Sequence, residues 1–119
     1  MVKIYGIKNC DTMQKAMKWL DAKKVKYVFH DYKELGIDKA TIEVWLKHLP
    51  INKVINLRST TFRELSETQR AGITDEKKAI DLMIKYNSII KRPLWDFGKG
   101  EFLLGWDEAK VTKQLALNT

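Results

Sequence analysis

A chain of 119 residues that is 45% hydrophobic and 31% charged has the composition of one globular domain, which excludes disordered and membrane proteins. No apolar run approaches the roughly 20 residues that cross a bilayer, and no signal-peptide pattern opens the sequence. We therefore expect one domain over residues 1–119, in the cytoplasm and without membrane contact. A net charge of +7 favours anionic partners, but scattered lysines without a basic tail argue against direct nucleic-acid binding.

The first third of the chain predicts a strand, a helix and a second strand. Residues 2–6 alternate like a short buried strand, and residues 25–31 are rich in Val, Tyr and Phe, as strands are. Between them, Asp11 and Gln14 have the spacing of a capping box, and an apolar stripe follows at helical spacing: Met13, Ala16, Met17 and Leu20. Cys10 is thereby placed at the N-terminal end of a helix that directly follows a strand. A helical crossover of this length predicts parallel strands.

Helices are predicted for the middle of the chain, as an insertion over residues 38–86. An apolar stripe with helical spacing follows Asp38. Thr61 with Glu64 indicates a second capped helix, and the segment Thr74-Asp75-Glu76 opens a third.

The pattern changes back after this insertion. Residues 93–97 and 101–105 flank a Gly-Lys-Gly turn, which is typical of a β-hairpin, and the pair Asp107-Glu108 begins a final helix. The predicted order is βαβ, a helical block, ββ and α. It matches an α/β protein with a thioredoxin-like fold, in which a four-stranded mixed sheet carries a helical insertion between its βαβ and ββα halves.

Four short segments carry a resemblance to a known family. They are residues 5–12 (Tyr-Gly-Ile-Lys-Asn-Cys-Asp-Thr), 56–59 (Asn-Leu-Arg-Ser), 90–93 (Ile-Lys-Arg-Pro) and 105–108 (Gly-Trp-Asp-Glu). In this order and spacing they resemble the family that contains the glutaredoxin-coupled arsenate reductases (ArsC), the Spx transcriptional regulators and the YffB-type proteins. The sequence is most similar to the YffB-like branch, and the resemblance covers essentially the whole chain.

The resemblance implies roles for particular residues. Cys10 matches the family's active-site cysteine, and Arg58 and Arg92 match arginines that handle anions. Pro93 matches the structural cis-proline of the thioredoxin fold, and an X-Pro bond is where a cis peptide costs least. Lys8 and Asn9, in the loop before the cysteine, are further candidates for anion binding.

The chemistry of a lone thiol depends on its ionisation. A thiol attacks only as thiolate, so the pKa of Cys10 must fall below its ordinary value. A helix N-terminus would lower that pKa, and Lys8, Arg58 and Arg92 would lower it further if the fold gathers them. Other interpretations remain open: Cys10 as a small buried hydrophobe, and the two arginines in surface ion pairs. The histidines lack metal-ligand spacing, so we expect no metal site.

Two departures from the family pattern bear on function. Arsenate reductases of the family carry a third arginine in the last hairpin, whereas Gly105 and Trp106 stand there in this chain. Redox-sensing Spx proteins carry a second cysteine three residues after the first, and that position is Met13. A disulfide switch within the chain is therefore excluded.

The leading hypothesis is a thiol reductase in which Cys10 acts with glutathione or glutaredoxin as the external thiol. Glutathione would be a co-substrate, with no bound cofactor, and the substrate would be a small anion. The first alternative is a glutaredoxin-coupled arsenate reductase that holds its oxyanion with Arg58 and Arg92 alone. The second belongs to another class, an Spx-like regulator that binds the α-subunit of RNA polymerase.

Overall fold

The computed structural model describes residues 1–118, so Thr119, the last residue of the predicted domain, lies outside the described residues. The chain divides into two compact units. The sheet unit consists of Met1–Asp31 with the chain from Arg92 onward, and the helical unit is Tyr32–Lys91. No helix among the described residues is both long and apolar enough to cross a membrane. That residues 1–119 fold as one domain stays a prediction.

The secondary structure alternates at both ends of the chain and is helical in the middle. The strands are β1 (Val2–Gly6), β2 (Tyr27–Asp31), β3 (Leu94–Asp96) and β4 (Phe102–Leu104). The helices are α1 (Asp11–Ala22), α2 (Tyr32–Leu35), α3 (Lys39–His48), α4 (Ile51–Val54), α5 (Thr60–Glu64), α6 (Glu67–Ala71), α7 (Glu76–Lys85) and α8 (Glu108–Leu117). Short 3₁₀ turns cover Gly72–Thr74 and Asn87–Ile89.

The sheet unit is built on a four-stranded mixed sheet in the order β2-β1-β3-β4. Strands β1 and β2 are parallel, whereas β3 pairs antiparallel with both β1 and β4. Helix α1 buries three residues of the predicted apolar stripe, whereas Met17 is only partly buried. The fully or nearly fully buried members of the core are Val2, Ile4, Met13, Ala16, Leu20, Trp95, Phe97 and Val111. The predicted fold class is confirmed.

Strand β1 has its predicted bounds, but the other three strands are shorter than the sequence predicts. β2 begins at Tyr27 rather than at residue 25, because Lys24 adopts a left-handed φ of 57° and the Val25 N–H still donates to the Leu20 carbonyl at the end of α1. The predicted strands over residues 93–97 and 101–105 each lose both end residues. At the hairpin, the Phe97 N–H bonds the Glu101 carbonyl at 2.9 Å across the turn.

The helical unit is longer than the predicted insertion of residues 38–86, because α2 precedes it and the 3₁₀ turn Asn87–Ile89 follows it. Helix starts are set by side chains that accept backbone N–H bonds: Asp38 from Thr41, and Asp75 from Lys78. The predicted cap at Thr61 is wrong. Ser59 caps α5 instead, accepting the Phe62 N–H at 3.1 Å, so the helix begins at residue 60.

Candidate active site

Cys10 lies between β1 and α1, where it is the N-cap residue of the helix. Its backbone is extended (φ −139°, ψ 123°), and its carbonyl accepts the Gln14 N–H at 2.9 Å. The predicted capping box does not form, since Asp11 is the first helical residue and the N-cap residue, Cys10, makes no side-chain cap hydrogen bond. The thiol is partly buried beside the core of the sheet unit. It is not the fully buried hydrophobe of the alternative interpretation.

The surroundings of Cys10 lower the pKa of its thiol below the ordinary value. Burial is the largest single influence and raises this pKa, but it is outweighed by the N–H of Met13, the side chain of Arg92 and the N–H of Thr12. The charge of Arg92 adds to these contributions. The Cys10 side chain makes no cap hydrogen bond at the start of α1. The N–H groups of Met13 and Thr12 lower the pKa because they stabilise the negatively charged thiolate.

Sheet topology explains why Arg92 reaches Cys10 from the far end of the sequence. Strand β1 ends at Gly6, and antiparallel β3 begins with Leu94 opposite Tyr5. The segment before β3 thus meets the loop after β1 at one edge of the sheet. That segment contains Arg92, which is partly buried and whose side chain lowers the pKa of Cys10, both as a hydrogen-bonding group and through its positive charge. The Arg92–Pro93 peptide bond is cis.

The loop before Cys10 is attached to the end of the neighbouring strand. The Lys8 N–H donates to the Asp31 Oδ2 at 3.2 Å, and Asp31 is a carboxylate with only 8% of its surface exposed. The side chains of Lys8 and Asn9 are exposed. Their role in anion binding stays a prediction.

Arg58 belongs to the helical unit. Its side chain is exposed, and its backbone N–H donates to Asn56 Oδ1 at 3.1 Å just before the cap of α5. A role for Arg58 at Cys10 stays a prediction. Among residues 1–118, no three His, Cys, Asp or Glu side chains are placed to hold a metal ion.

Several residues around the site were not among the sequence candidates. A Cβ atom at Gly6 would collide with the sulfur of Met13, so Gly6 allows Met13 its position one turn into α1. Gly105 donates its N–H to the Pro93 carbonyl at 2.8 Å. The sequence offered only weak signals for these contacts: a glycine at the end of a predicted strand, and a Gly-Trp pair after the last strand.

Comparison with known proteins identifies the family. The ArsC family model matches residues 5–114. An uncharacterized protein of Haemophilus influenzae is 34% identical over 116 residues, which are 98% of this chain and 100% of the relative. The solved structure of a YffB protein is 44% identical with a TM-score of 0.90, over 97% of this chain and 99% of that one.

A solution structure from Brucella melitensis, described as an arsenate reductase (ArsC) related protein, is also similar. It is 41% identical with a TM-score of 0.74, over 94% of this chain and 92% of that one. The family model and these relatives cover nearly the whole chain, and the four-stranded mixed sheet agrees with the thioredoxin-like fold of the family. The chain belongs to the ArsC family.

Proposed function

We propose that this protein is a thiol reductase that uses Cys10 as its nucleophile and glutathione or glutaredoxin as the external thiol. Family membership and the arsenate reductase-related neighbours support a thiol reductase in general. The observation that carries the finer proposal is the environment of Cys10, where two backbone N–H groups and Arg92 lower the pKa of the thiol despite its partial burial.

In the first step, the Cys10 thiolate attacks the glutathione sulfur of a mixed disulfide. A new disulfide forms between Cys10 and glutathione, the original S–S bond breaks, and the second thiol leaves as thiolate and takes a proton from water. The lowered pKa keeps a larger share of Cys10 in the attacking form at neutral pH.

In the second step, an external thiolate attacks the glutathione sulfur of the adduct. The Cys10–glutathione bond breaks, Cys10 leaves as thiolate, and oxidised glutathione is released when the attacking thiol is glutathione. The external thiol thereby supplies the two electrons that reduce one mixed disulfide. The same groups that lower the pKa of Cys10 make it a good leaving group here. The external thiol is required because the chain has one cysteine.

Arsenate reduction is the second candidate, since the Brucella melitensis relative is described as arsenate reductase related and a guanidinium lies at the thiol. In this version the Cys10 thiolate attacks As(V), and an oxygen leaves arsenic as water. An external thiolate then attacks the Cys10 sulfur, the S–As bond breaks with its electron pair staying on arsenic, and arsenite is released. A second external thiol reduces the mixed disulfide left on Cys10 and frees the thiolate, so two external thiols are oxidised for each arsenate. Arg58 and Arg92 would hold the oxyanion without a third arginine. Gly105 and Trp106 occupy the corresponding region of the chain.

A direct test assays the purified protein with a glutathione mixed disulfide and with arsenate side by side. Glutathione and glutaredoxin serve as reductants. We expect turnover of the mixed disulfide, loss of turnover in Cys10→Ser, and a trapped Cys10–glutathione adduct visible by intact mass when reductant is removed. Arg70→Ala, an exposed arginine on α6, is the matched control and should leave turnover unchanged.

Other results would overturn the proposal. Turnover that survives in Cys10→Ser would remove the nucleophile. Turnover with arsenate alone would favour the second candidate. If neither substrate reacts but the protein retains the carboxy-terminal domain of the RNA polymerase α-subunit in a pull-down, the regulator class replaces the enzyme.

A further inference from the structure

Trp95 lies at the centre of the sheet unit with its indole ring fully buried. The ring stacks with Phe97 at a centroid distance of 5.8 Å and with Trp106 at 5.9 Å. Its Nε1–H donates to the Gly105 carbonyl at 2.8 Å. A buried indole N–H needs an acceptor, and stacking fixes the direction in which this donor points.

Gly105 connects this indole to the segment that carries Arg92. The residue follows β4 with a φ of 82°, a conformation that side chains disfavour. Its carbonyl accepts from Trp95, while its N–H donates to the Pro93 carbonyl at 2.8 Å. The carbonyl and the N–H of Gly105 therefore link the Trp95 indole to Pro93, the residue that follows Arg92 in the chain.

We propose that Trp95 is a positioning residue for the thiol site, because its indole N–H holds Gly105, which holds the Pro93 backbone and so presents Arg92 to Cys10. This inference rests on the proposed function of Cys10. A buried indole could satisfy its donor with any nearby carbonyl. The acceptor used here lies one hydrogen bond away from the Arg92 segment.

The test is Trp95→Phe, which keeps an aromatic ring for stacking and removes the N–H donor. Alkylation of Cys10 by iodoacetamide is followed across pH, because its midpoint reports thiolate formation and a purely structural role would leave it in place. We expect the midpoint to rise toward that of Arg92→Ala. At a fixed pH below the midpoint, alkylation should slow about threefold to tenfold.

The matched control is Trp19→Phe. This substitution removes another indole hydrogen bond of the same unit, from Trp19 Nε1 to Glu108 Oε1 at 2.7 Å, which is not part of the Trp95–Gly105–Pro93 chain of hydrogen bonds. It keeps an aromatic ring where Trp19 meets Trp106 edge-on at a centroid distance of 5.5 Å. Its alkylation profile should match that of the wild type. In the Arg92→Ala background, Trp95→Phe should shift the midpoint no further, since its effect passes through Arg92.

Each remaining outcome decides the question. If the wild-type midpoint is depressed and Trp95→Phe leaves it unchanged, the positioning role alone is overturned. The same holds if Trp95→Phe still shifts the midpoint in the Arg92→Ala background. A wild-type midpoint equal to that of the unfolded chain overturns the proposed function together with this inference. If Trp95→Phe does not fold, Gly105→Ala strains the same link from its other side and should move the midpoint in the same direction.

Discussion

The two units of this protein are assembled in different ways. The sheet unit joins both ends of the chain, and its strand pairing between β1 and β3 brings Arg92 to Cys10 across most of the sequence. The helical unit is one continuous segment in which α3, α5, α6 and α7 begin at side-chain caps made within three residues. The thiol chemistry thus depends on long-range pairing, whereas the helical unit depends mainly on local signals.

This contrast separates two kinds of effect. Substitutions around β1, α1 and β3 should change the ionisation of Cys10 as well as stability. Substitutions in the helical unit should change stability, or anion binding if Arg58 takes part, without changing that ionisation.

The largest expected effects come from truncating one core residue in each unit. Leu20 in the sheet unit and Ile42 in the helical unit are both fully buried. We expect Leu20→Ala and Ile42→Ala each to lower the free energy of unfolding by about 2–5 kcal/mol, measured by urea denaturation with circular dichroism. One domain over residues 1–119 predicts a single transition in both variants. Two transitions, each moved by only one variant, would contradict it.

Gly6→Ala should affect stability and chemistry together. The added Cβ would force Met13 to move, at a cost of about 1–3 kcal/mol, and the N–H of Met13 is one of the groups that lower the pKa of Cys10. Alkylation of Cys10 at neutral pH should therefore slow.

A matched glycine in the helical unit provides the control. At Gly72, whose φ is −68°, an added Cβ would meet only the Lys78 side chain at 3.5 Å or more. Gly72→Ala should be neutral or stabilising by up to about 1 kcal/mol, with an unchanged alkylation profile. Slower alkylation in this variant would contradict the expectation that substitutions in the helical unit leave the ionisation of Cys10 unchanged.

The two candidate arginines sharpen the same contrast. Arg92→Ala should raise the midpoint of Cys10 alkylation and weaken binding of glutathione or an oxyanion by about 1–3 kcal/mol, the cost of a lost charged hydrogen-bond partner. Arg58→Ala should weaken anion binding but leave the alkylation midpoint in place. Isothermal titration with oxidised glutathione measures the binding, in a Cys10→Ser background so that no disulfide exchange contributes to the heat. Unchanged affinity in Arg58→Ala would remove that residue from the site.

Sequence reasoning located Cys10 because a strand, a polar loop and a helical stripe follow one another within twenty residues. The predicted cap of α1 is wrong because Asp11 and Gln14 have the spacing of a capping box, and nothing in the sequence shows that the N-cap residue is Cys10. The start of α5 was missed for a similar reason, since Ser59 and Thr61 are both good caps and only the backbone decides between them.

The hydrogen bonds that complete the site could not be predicted from local patterns. Nothing near Trp95 in the sequence shows that its indole binds Gly105, because that contact depends on the register of β3 and β4. Likewise, the fit of Met13 against Gly6 depends on how α1 packs on β1. Family resemblance supplied Arg92 as a candidate, and the antiparallel pairing of β3 with β1 explains why it lies at the thiol.

The smallest effect we expect is a pH dependence of stability that belongs to Cys10. Because the folded-state pKa of its thiol is lowered, the unfolded chain binds more protons between the two pKa values, and stability rises with pH in that window. This contribution is fully present above the unfolded pKa of about 8.5 and is lost as pH falls through the folded pKa.

Cys10→Ser cannot ionise in this range, so the difference in unfolding free energy between wild type and Cys10→Ser should grow with pH. Burial and Asp21 raise the pKa of Tyr27 equally in both proteins, so its contribution cancels from the difference. Urea denaturation of both proteins at several pH values gives the curve, and Arg92→Ala should flatten it. A difference that does not change with pH would mean that the fold gives the Cys10 thiolate no net stabilisation.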